Sequence, residues 1–203
     1  LEKSETSWFV IPDGRRFATP VIIRDVSADR MKSGAKVQVD IIWYPPAGSR
    51  GFPEGTIITH LGQSGEPVAE IRSVMAAHGL NEEFPAEVEA YARDAAASFN
   101  PDDVAGRVDM TALITATIDP DTARDYDDAI SLEPLENGGM RLGVHIADVS
   151  FFVKEGSPLD KEAYERGTSV YFPRYVVPML PVSLSNGVCS LQEGVKRFAK
   201  TAV

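Results

Sequence analysis

The feature that most constrains this chain is a change of rhythm near residue 82. Ahead of it, short β-like runs are cut by turn signals: Trp8-Phe9-Val10-Ile11, then Pro12-Asp13-Gly14, then Pro20-Val21-Ile22-Ile23. Ala35 to Ile42 alternates before turning apolar, and a Pro/Gly-rich break leads into Gly55-Thr56-Ile57-Ile58-Thr59. Four or five strands within about 55 residues predict a small barrel.

From residue 82 to 98 the apolar spacing becomes helical, with Phe84, Val88, Tyr91 and Ala95 four, three and four residues apart. Pro85 fits a first helical turn and Asn100-Pro101 a stop. A second β-rich region begins near Val108. Residues 112–118 read as a buried strand, residues 129–132 as another, and Glu136-Asn137-Gly138-Gly139 as a hairpin turn into Leu142, Val144 and Ile146. A helix follows with Ser157 as N-cap, Pro158 at its first position, Asp160 completing a capping box and Gly167 as its stop. Phe198 to Val203 reads as one more strand, expected to leave an unpaired apolar edge. The chain therefore divides into a β-barrel domain (residues 1–80), a helical connector (81–102) and an α+β region (103–203).

The 203 residues suffice for two small domains, and 43% hydrophobic with 25% charged residues is the composition of an ordinary globular chain. No apolar run approaches the roughly 20 residues that span a bilayer, so no membrane partner is expected. Cys189 is the single cysteine, which excludes an internal disulfide and a cysteine-based zinc site and suggests a reducing, cytoplasmic setting. The formal charge of −10 argues against a uniformly basic, nucleic-acid-coated surface. Residues 1–80 are neutral, however, with nine Lys/Arg against nine Asp/Glu, so the acidity lies in the remainder. An acidic region meets phosphates where divalent cations stand between them.

That acidity is focused in Ile118-Asp119-Pro120-Asp121-Thr122-Ala123-Arg124-Asp125-Tyr126-Asp127-Asp128-Ala129, with five carboxylates in ten residues. Two carboxylates about 5 Å apart repel by roughly 3 kcal/mol at an effective dielectric near 20, and one arginine does not offset several. Either the segment is a solvated Asp-rich turn or it gathers hard divalent cations, for which Mg²⁺ takes one or two carboxylates plus phosphate and water. A calcium loop fails in detail. Counted from Asp119, the sixth position is Arg124 where glycine is required and the twelfth is Ile130 where glutamate is required.

The segments Thr117-Ile118-Asp119 and Ala123-Arg124-Asp125-Tyr126-Asp127-Asp128-Ala129 resemble the catalytic motif of the ribonuclease II/ribonuclease R (RNB) family of 3′-to-5′ exoribonucleases. Val144-His145-Ile146-Ala147-Asp148-Val149, Gly167 to Pro173, Val177 to Pro181 and Leu184 to Leu191 extend the resemblance in order, from about residue 103 to 203. The resemblance implies an α+β architecture, a cold-shock/OB-type barrel followed by the N-terminal part of a mixed α+β RNB catalytic domain. It implies Asp119, Asp125, Asp127 and Asp128 as active-site aspartates, with Asp119 and Asp128 the firmest Mg²⁺ ligands and Mn²⁺ able to substitute. Asp125 and Asp127 would complete a second metal position and meet the 3′-terminal nucleotide. Tyr171 matches a tyrosine lying against that nucleotide, although a tyrosine in a Val-Tyr-Phe strand is more often core. The implied activity is Mg-dependent hydrolysis of single-stranded RNA to nucleoside 5′-monophosphates by a two-metal mechanism.

The family's catalytic region is longer than the portion present, so the chain reads as a fragment of a longer enzyme, with a second polypeptide carrying the rest as the alternative. The contrasting reading is a catalytically silent RNA-binding or assembly module of the same fold. Two departures from the family pattern, Asp109-Met110-Thr111 and Lys196-Arg197-Phe198-Ala199-Lys200, leave the four aspartates untouched.

In the front domain, Trp8, Phe9, Phe17, Trp43 and Tyr44 are candidates to stack bases, although core packing explains at least half of them equally well, and Arg15 and Arg16 are among the residues that offer phosphate contacts or only a solvated surface. His60, His78 and His145 form no metal-ligand spacing, and His145 reads as a hydrogen-bonded structural residue. Cys189 reads as packing rather than nucleophile.

Overall fold

The computed structural model describes every residue except Thr6, Arg15, Arg16, Ala18 and residues 25–30. The chain forms two compact units, Leu1–Asn81 and Glu82–Val203.

The first unit is built from β1 (Glu2–Lys3), β2 (Trp8–Val10), β3 (Val21–Ile23), β4 (Ala35–Trp43), β5 (Glu54–Gln63) and helix α1 (Pro67–His78). The sheet order is β1-β2-β3-β5-β4. All pairings are antiparallel except β3 with β5, which is parallel. The Leu1 ammonium donates to the Ala35 carbonyl at 2.8 Å, and the Gly34 N–H donates to the Leu1 carbonyl at 2.8 Å. The two bonds bring β1 back to the start of β4 and close the ring as an OB-type barrel. Its centre is filled by Leu1, Trp8, Val10, Val21, Ile23 and Ala35, with Val37, Val39, Ile41 and Ile57 packed around them. At Gly55, where β5 lies between β3 and β4, an added Cβ would sit 2.6 Å from Val39 Cγ1 and 2.7 Å from the Asp40 carbonyl oxygen, so only glycine lets the backbones approach.

Two features of this unit depart from the sequence expectations. Trp8, a candidate base-stacking residue, is buried in the barrel, because the β2 alternation turns Trp8 and Val10 inward and Phe9 to the other face. Helix α1 is an addition. It begins with Pro67 in its first turn and ends at Gly79, whose φ of 68° provides the left-handed cap, but it buries only Ala69 and Met75. So narrow an apolar stripe leaves little periodicity to read.

The second unit contains α2 (Ala86–Ala97), β6 (Thr115–Ala116), β7 (Asp128–Pro134), β8 (Met140–Ala147), α3 (Val149–Phe152), α4 (Pro158–Arg166), β9 (Val170–Phe172), β10 (Tyr175–Val177), an irregular helical segment Leu184–Val188 and β11 (Ala199–Ala202). Four strands form an antiparallel sheet in the order β11-β8-β7-β6, and β9 pairs with β10 separately. The helix expected over residues 82–98 is the shorter α2, with Pro85 as its N-cap instead of in its first turn. Its Val88 and Ala92 pack with Phe152, Leu159, Leu184 and Cys189, so this part of the expected connector contributes to the core of the second unit. Ser157 caps α4 as expected, its Oγ accepting from the Asp160 N–H at 3.1 Å, but the Asp160 carboxylate accepts from the Gly156 N–H at 2.8 Å, one residue before the N-cap whose N–H a capping box would use.

Phe99, Phe151, Phe152 and Phe198 meet edge to face, with centroid separations from 4.9 to 6.3 Å. Over this cluster the Arg107 guanidinium lies 3.8 Å from the Phe198 ring centre and pairs with the buried Asp148 carboxylate at 2.8 Å. Ser150 donates a second hydrogen bond to Asp148 at 2.7 Å. Burial works to raise the Asp148 carboxyl, but the hydrogen bonds from Ser150 and Arg107, with the Lys200 charge, outweigh it and hold the group below its ordinary range.

The sheet has two unlike faces. Ala129, Ser131, Gly143, His145 and Ala147 point inward, whereas Ile130, Leu132, Leu142 and Ile146 point outward and remain between 37% and 58% exposed. His145 bridges Ser131 and Thr201, each at 2.9 Å, as expected of a structural histidine. Gly143 makes room for this bridge, since a Cβ there would lie 2.5 Å from the Ser131 Oγ.

Residues 112–118, expected as a buried strand, form only the two-residue edge strand β6, with Ile114 at 91% and Ile118 at 86% exposure. An edge strand beside β7 has a neighbour on one side only, and no described residue covers the isoleucines. Within Phe198 to Val203, Ala199–Ala202 form β11, which pairs along β8 on one side and stands at the edge of the sheet on the other.

Candidate active site

The carboxylates occupy the loop joining β6 to β7. Its course is fixed by backbone bonds: the Ala123 N–H donates to the Pro120 carbonyl at 2.8 Å, and the Ala147 N–H donates to the Asp127 carbonyl at 2.9 Å. Asp128 opens β7 opposite Ile146. A third restraint comes from residues 190–191. The Tyr126 N–H donates to the Ser190 Oγ at 3.1 Å, the Ser190 hydroxyl donates to the Arg124 carbonyl at 3.1 Å, and the Leu191 N–H donates to the Tyr126 carbonyl at 2.8 Å.

Three of the four expected aspartates act electrostatically on the fourth. Although much of Asp127 is exposed, its carboxyl is held above the ordinary range, first by partial burial and then by the negative charges of Asp125, Asp128 and Asp119. Among the described residues no Lys or Arg forms an ion pair with any of these four, so no described side chain neutralises the charge they concentrate.

Tyr171, on β9, is 67% exposed and donates a long hydrogen bond to the Asp125 carboxylate at 3.4 Å. Partial burial, the Asp125 charge and that hydrogen bond, and the Asp127 charge together raise its phenol above the ordinary range. A strand tyrosine that reads as core is instead a surface ring beside the aspartates. Cys189 is buried, and its thiol is pushed up to about 12 by burial and by the charges of Asp127 and Asp148, which suits packing and not nucleophilic attack.

The chemistry of this donor set suits a hard divalent cation: several carboxylates, unpaired and mutually repelling, on one loop. The side chains do not form a ready-made cage, since among the described residues no three His, Cys, Asp or Glu groups converge closely enough to hold a metal ion.

In the barrel unit, Trp8 offers no free ring face, and Phe17 packs partly against the core. Phe9 is half-buried on the outer face of β2. Arg15, Arg16 and Arg30 lie outside the described residues. The exposed aromatic surface is at the end of β4 and before β5: Trp43 at 47%, Tyr44 at 60% and Phe52 at 47%. Phe52 was not among the expected residues, because a lone phenylalanine in a Pro/Gly-rich break carries no periodic signal.

Two domain families match the chain, the Cold shock domain over residues 9–85 and the RNB domain over residues 107–203. Ribonuclease R of Thermotoga maritima is 45% identical over 95% of this chain and 27% of the relative. Ribonuclease R 1 of Lactococcus lactis is 45% identical over 83% of this chain and 21% of the relative. The structure of Mycoplasma genitalium RNase R in complex with double-stranded RNA superposes with a TM-score of 0.80 at 32% identity, over 91% of this chain and 32% of that one. This chain thus spans about a quarter of the length of the curated relatives it matches. With its OB-type barrel, its aspartate loop and both domain matches, the chain belongs to the ribonuclease II/ribonuclease R (RNB) family, of which it carries the cold-shock domain and the first part of the RNB domain.

Proposed function

We propose that this chain supplies the carboxylate centre of a Mg²⁺-dependent 3′-to-5′ exoribonuclease that shortens single-stranded RNA to nucleoside 5′-monophosphates. The observation that carries the reading is geometric: Asp119, Asp125, Asp127 and Asp128 stand on one loop, tied by its backbone to residues 190–191 and to β8, with Tyr171 hydrogen-bonded to Asp125 and, among the described residues, no Lys or Arg paired with any of the four. A solvated turn would let such charges diverge, whereas here the backbone of the loop is tied on two sides. Asp119 and Asp128 would be the first ligands of a divalent cation, with Asp125 and Asp127 completing the set. When bound, a pair of such ions activates the attacking water and offsets charge on the leaving oxygen in phosphodiester cleavage.

The protein's own groups do the rest. The exposed Tyr171 ring, fixed at its hydroxyl end by Asp125, presents a face on which the terminal base stacks. Trp43, Tyr44 and Phe52 give the barrel unit exposed rings of its own on which bases stack. Such contacts select single-stranded RNA without reading its sequence, because every base has a π-face. A silent module of the same fold has no need of four intact aspartates.

The outward aliphatic face of the sheet, with Ile130, Leu132, Leu142 and Ile146 exposed together, supports a further element in the reading: additional RNB polypeptide, in the same chain or a second one, covers it. The test is RNA digestion by a chimera in which residues 1–203 replace the matching part of Thermotoga maritima ribonuclease R. Mg²⁺-dependent shortening from the 3′ end to mononucleotides is expected, and undiminished activity in excess EDTA refutes the metal centre.

A further inference from the structure

We propose that Ser190 is a positioning residue of the aspartate centre, holding the backbone on both sides of Asp125; the inference rests on the reading of that loop as the active site. Ser190 is fully buried. Its hydroxyl accepts from the Tyr126 N–H at 3.1 Å and donates to the Arg124 carbonyl at 3.1 Å. A serine hydroxyl has one proton and two lone pairs, so a single oxygen satisfies both groups at once. The bonds bracket Asp125 without touching its carboxylate, which leaves that group free to act.

The neighbouring contacts show that Ser190 is itself anchored. The Leu191 N–H donates to the Tyr126 carbonyl at 2.8 Å, the Ser190 N–H donates to the Gly187 carbonyl at 3.2 Å, and the Arg197 Nε donates to the Ser190 carbonyl at 3.1 Å. On the far side of Asp125, the Ala147 N–H holds the Asp127 carbonyl at 2.9 Å. The loop is thus tied to β8 at one point and to residues 190–191 at another. Like charges on Asp119, Asp125, Asp127 and Asp128 push the loop to open, and these ties resist that push. Nothing in the Cys189-Ser190-Leu191 run marks the serine as more than a small buried residue. Its role is visible only from the loop it contacts 64 and 66 residues earlier.

The test compares Ser190→Ala with Ser183→Ala. Ser183 also buries its hydroxyl oxygen, but that oxygen has no hydrogen-bond partner among the described residues, so its removal controls for the loss of a buried hydroxyl as such. Amide hydrogen exchange and Mn²⁺ affinity are measured on the 203-residue chain. In Ser190→Ala the Tyr126 N–H should exchange about tenfold faster and Mn²⁺ should bind about tenfold more weakly, a change the size of one lost hydrogen bond. The Val88 and Ala92 amides of α2 should keep their protection, and Ser183→Ala should match the parent in both readouts. Unchanged Tyr126 exchange in Ser190→Ala overturns the proposal, as does equal acceleration at Val88 and Ala92, which would mark a general packing effect. Failure of the unmutated chain to bind Mn²⁺ counts against the metal reading of the loop, while the exchange comparison still decides the role of Ser190.

Discussion

Asp127→Asn should make the cation-free chain more stable. A carboxyl whose folded pKa is raised contributes stability that is present below its unfolded value and lost as pH rises through the folded one. At neutral pH the ionised Asp127 therefore costs the fold energy, through its partial burial and through Asp125, Asp128 and Asp119. Exposed like-charge pairs are screened to a few tenths of a kcal/mol up to about 1 kcal/mol each, so three neighbours amount to roughly 1–2 kcal/mol. For a unit of this size, 1 kcal/mol moves Tm by about 4 °C, so a rise of roughly 4–8 °C is expected at low ionic strength, shrinking with added salt. Calorimetry at pH 7 in EDTA measures it. Tryptophan fluorescence identifies the transitions, since Trp8 and Trp43 are the two tryptophans and both lie in the first unit. The parent chain should gain stability on adding Mg²⁺ or Mn²⁺, by about 2.7 kcal/mol at a hundred times Kd, and Asp127→Asn should gain much less. A mutant with unchanged or lowered Tm in EDTA would show that burial and the neighbouring aspartates do not disfavour the ionised Asp127 and would refute the electrostatic part of the reading.

Tyr171→Ala should leave the fold intact, because the ring is largely exposed, yet lengthen the shortest product of the chimera by releasing short oligomers early; an unchanged limit product on a sequencing gel would refute stacking at this position. Asp148→Ala should destabilise the second unit by about 2–4 kcal/mol in urea melts, since it leaves Arg107 unpaired above the phenylalanine cluster. The Asp148 carboxyl is held low, so its contribution is present above the unfolded value and lost as pH falls through the folded one. Stability should thus drop below about pH 4, and Asp148→Asn should flatten that part of the profile.

The sequence made the chemistry more legible than the packing. Five carboxylates in ten residues are conspicuous because electrostatics penalises them wherever they stand, and the strands and the caps of α4 followed from local pattern. For Trp8 the sequence leaves base stacking and core packing open, because alternation gives two faces without saying which is inside, and that depends on how the barrel closes through Leu1 and Ala35. Residues 112–118 looked buried because isoleucines at Ile114 and Ile118 usually are, whereas coverage of a sheet edge is a property of what packs on it. Helix α1 escaped notice because it buries two small patches and not a continuous stripe. Ser190 and the Arg107–Asp148 pair join residues more than 40 positions apart, so neither leaves a local trace.

The central claim is that the aspartate loop cleaves RNA through bound divalent cations while other surfaces hold the strand. Its most direct test is the single-turnover rate and RNA affinity of the chimera carrying Asp127→Asn, side by side. The account predicts a rate lower by roughly a hundredfold or more, the scale of losing one charge-stabilising group at a reaction centre, with Kd for RNA changed by about threefold or less. Equal losses in rate and affinity, or a mutant that still cuts at the parent rate, would contradict it.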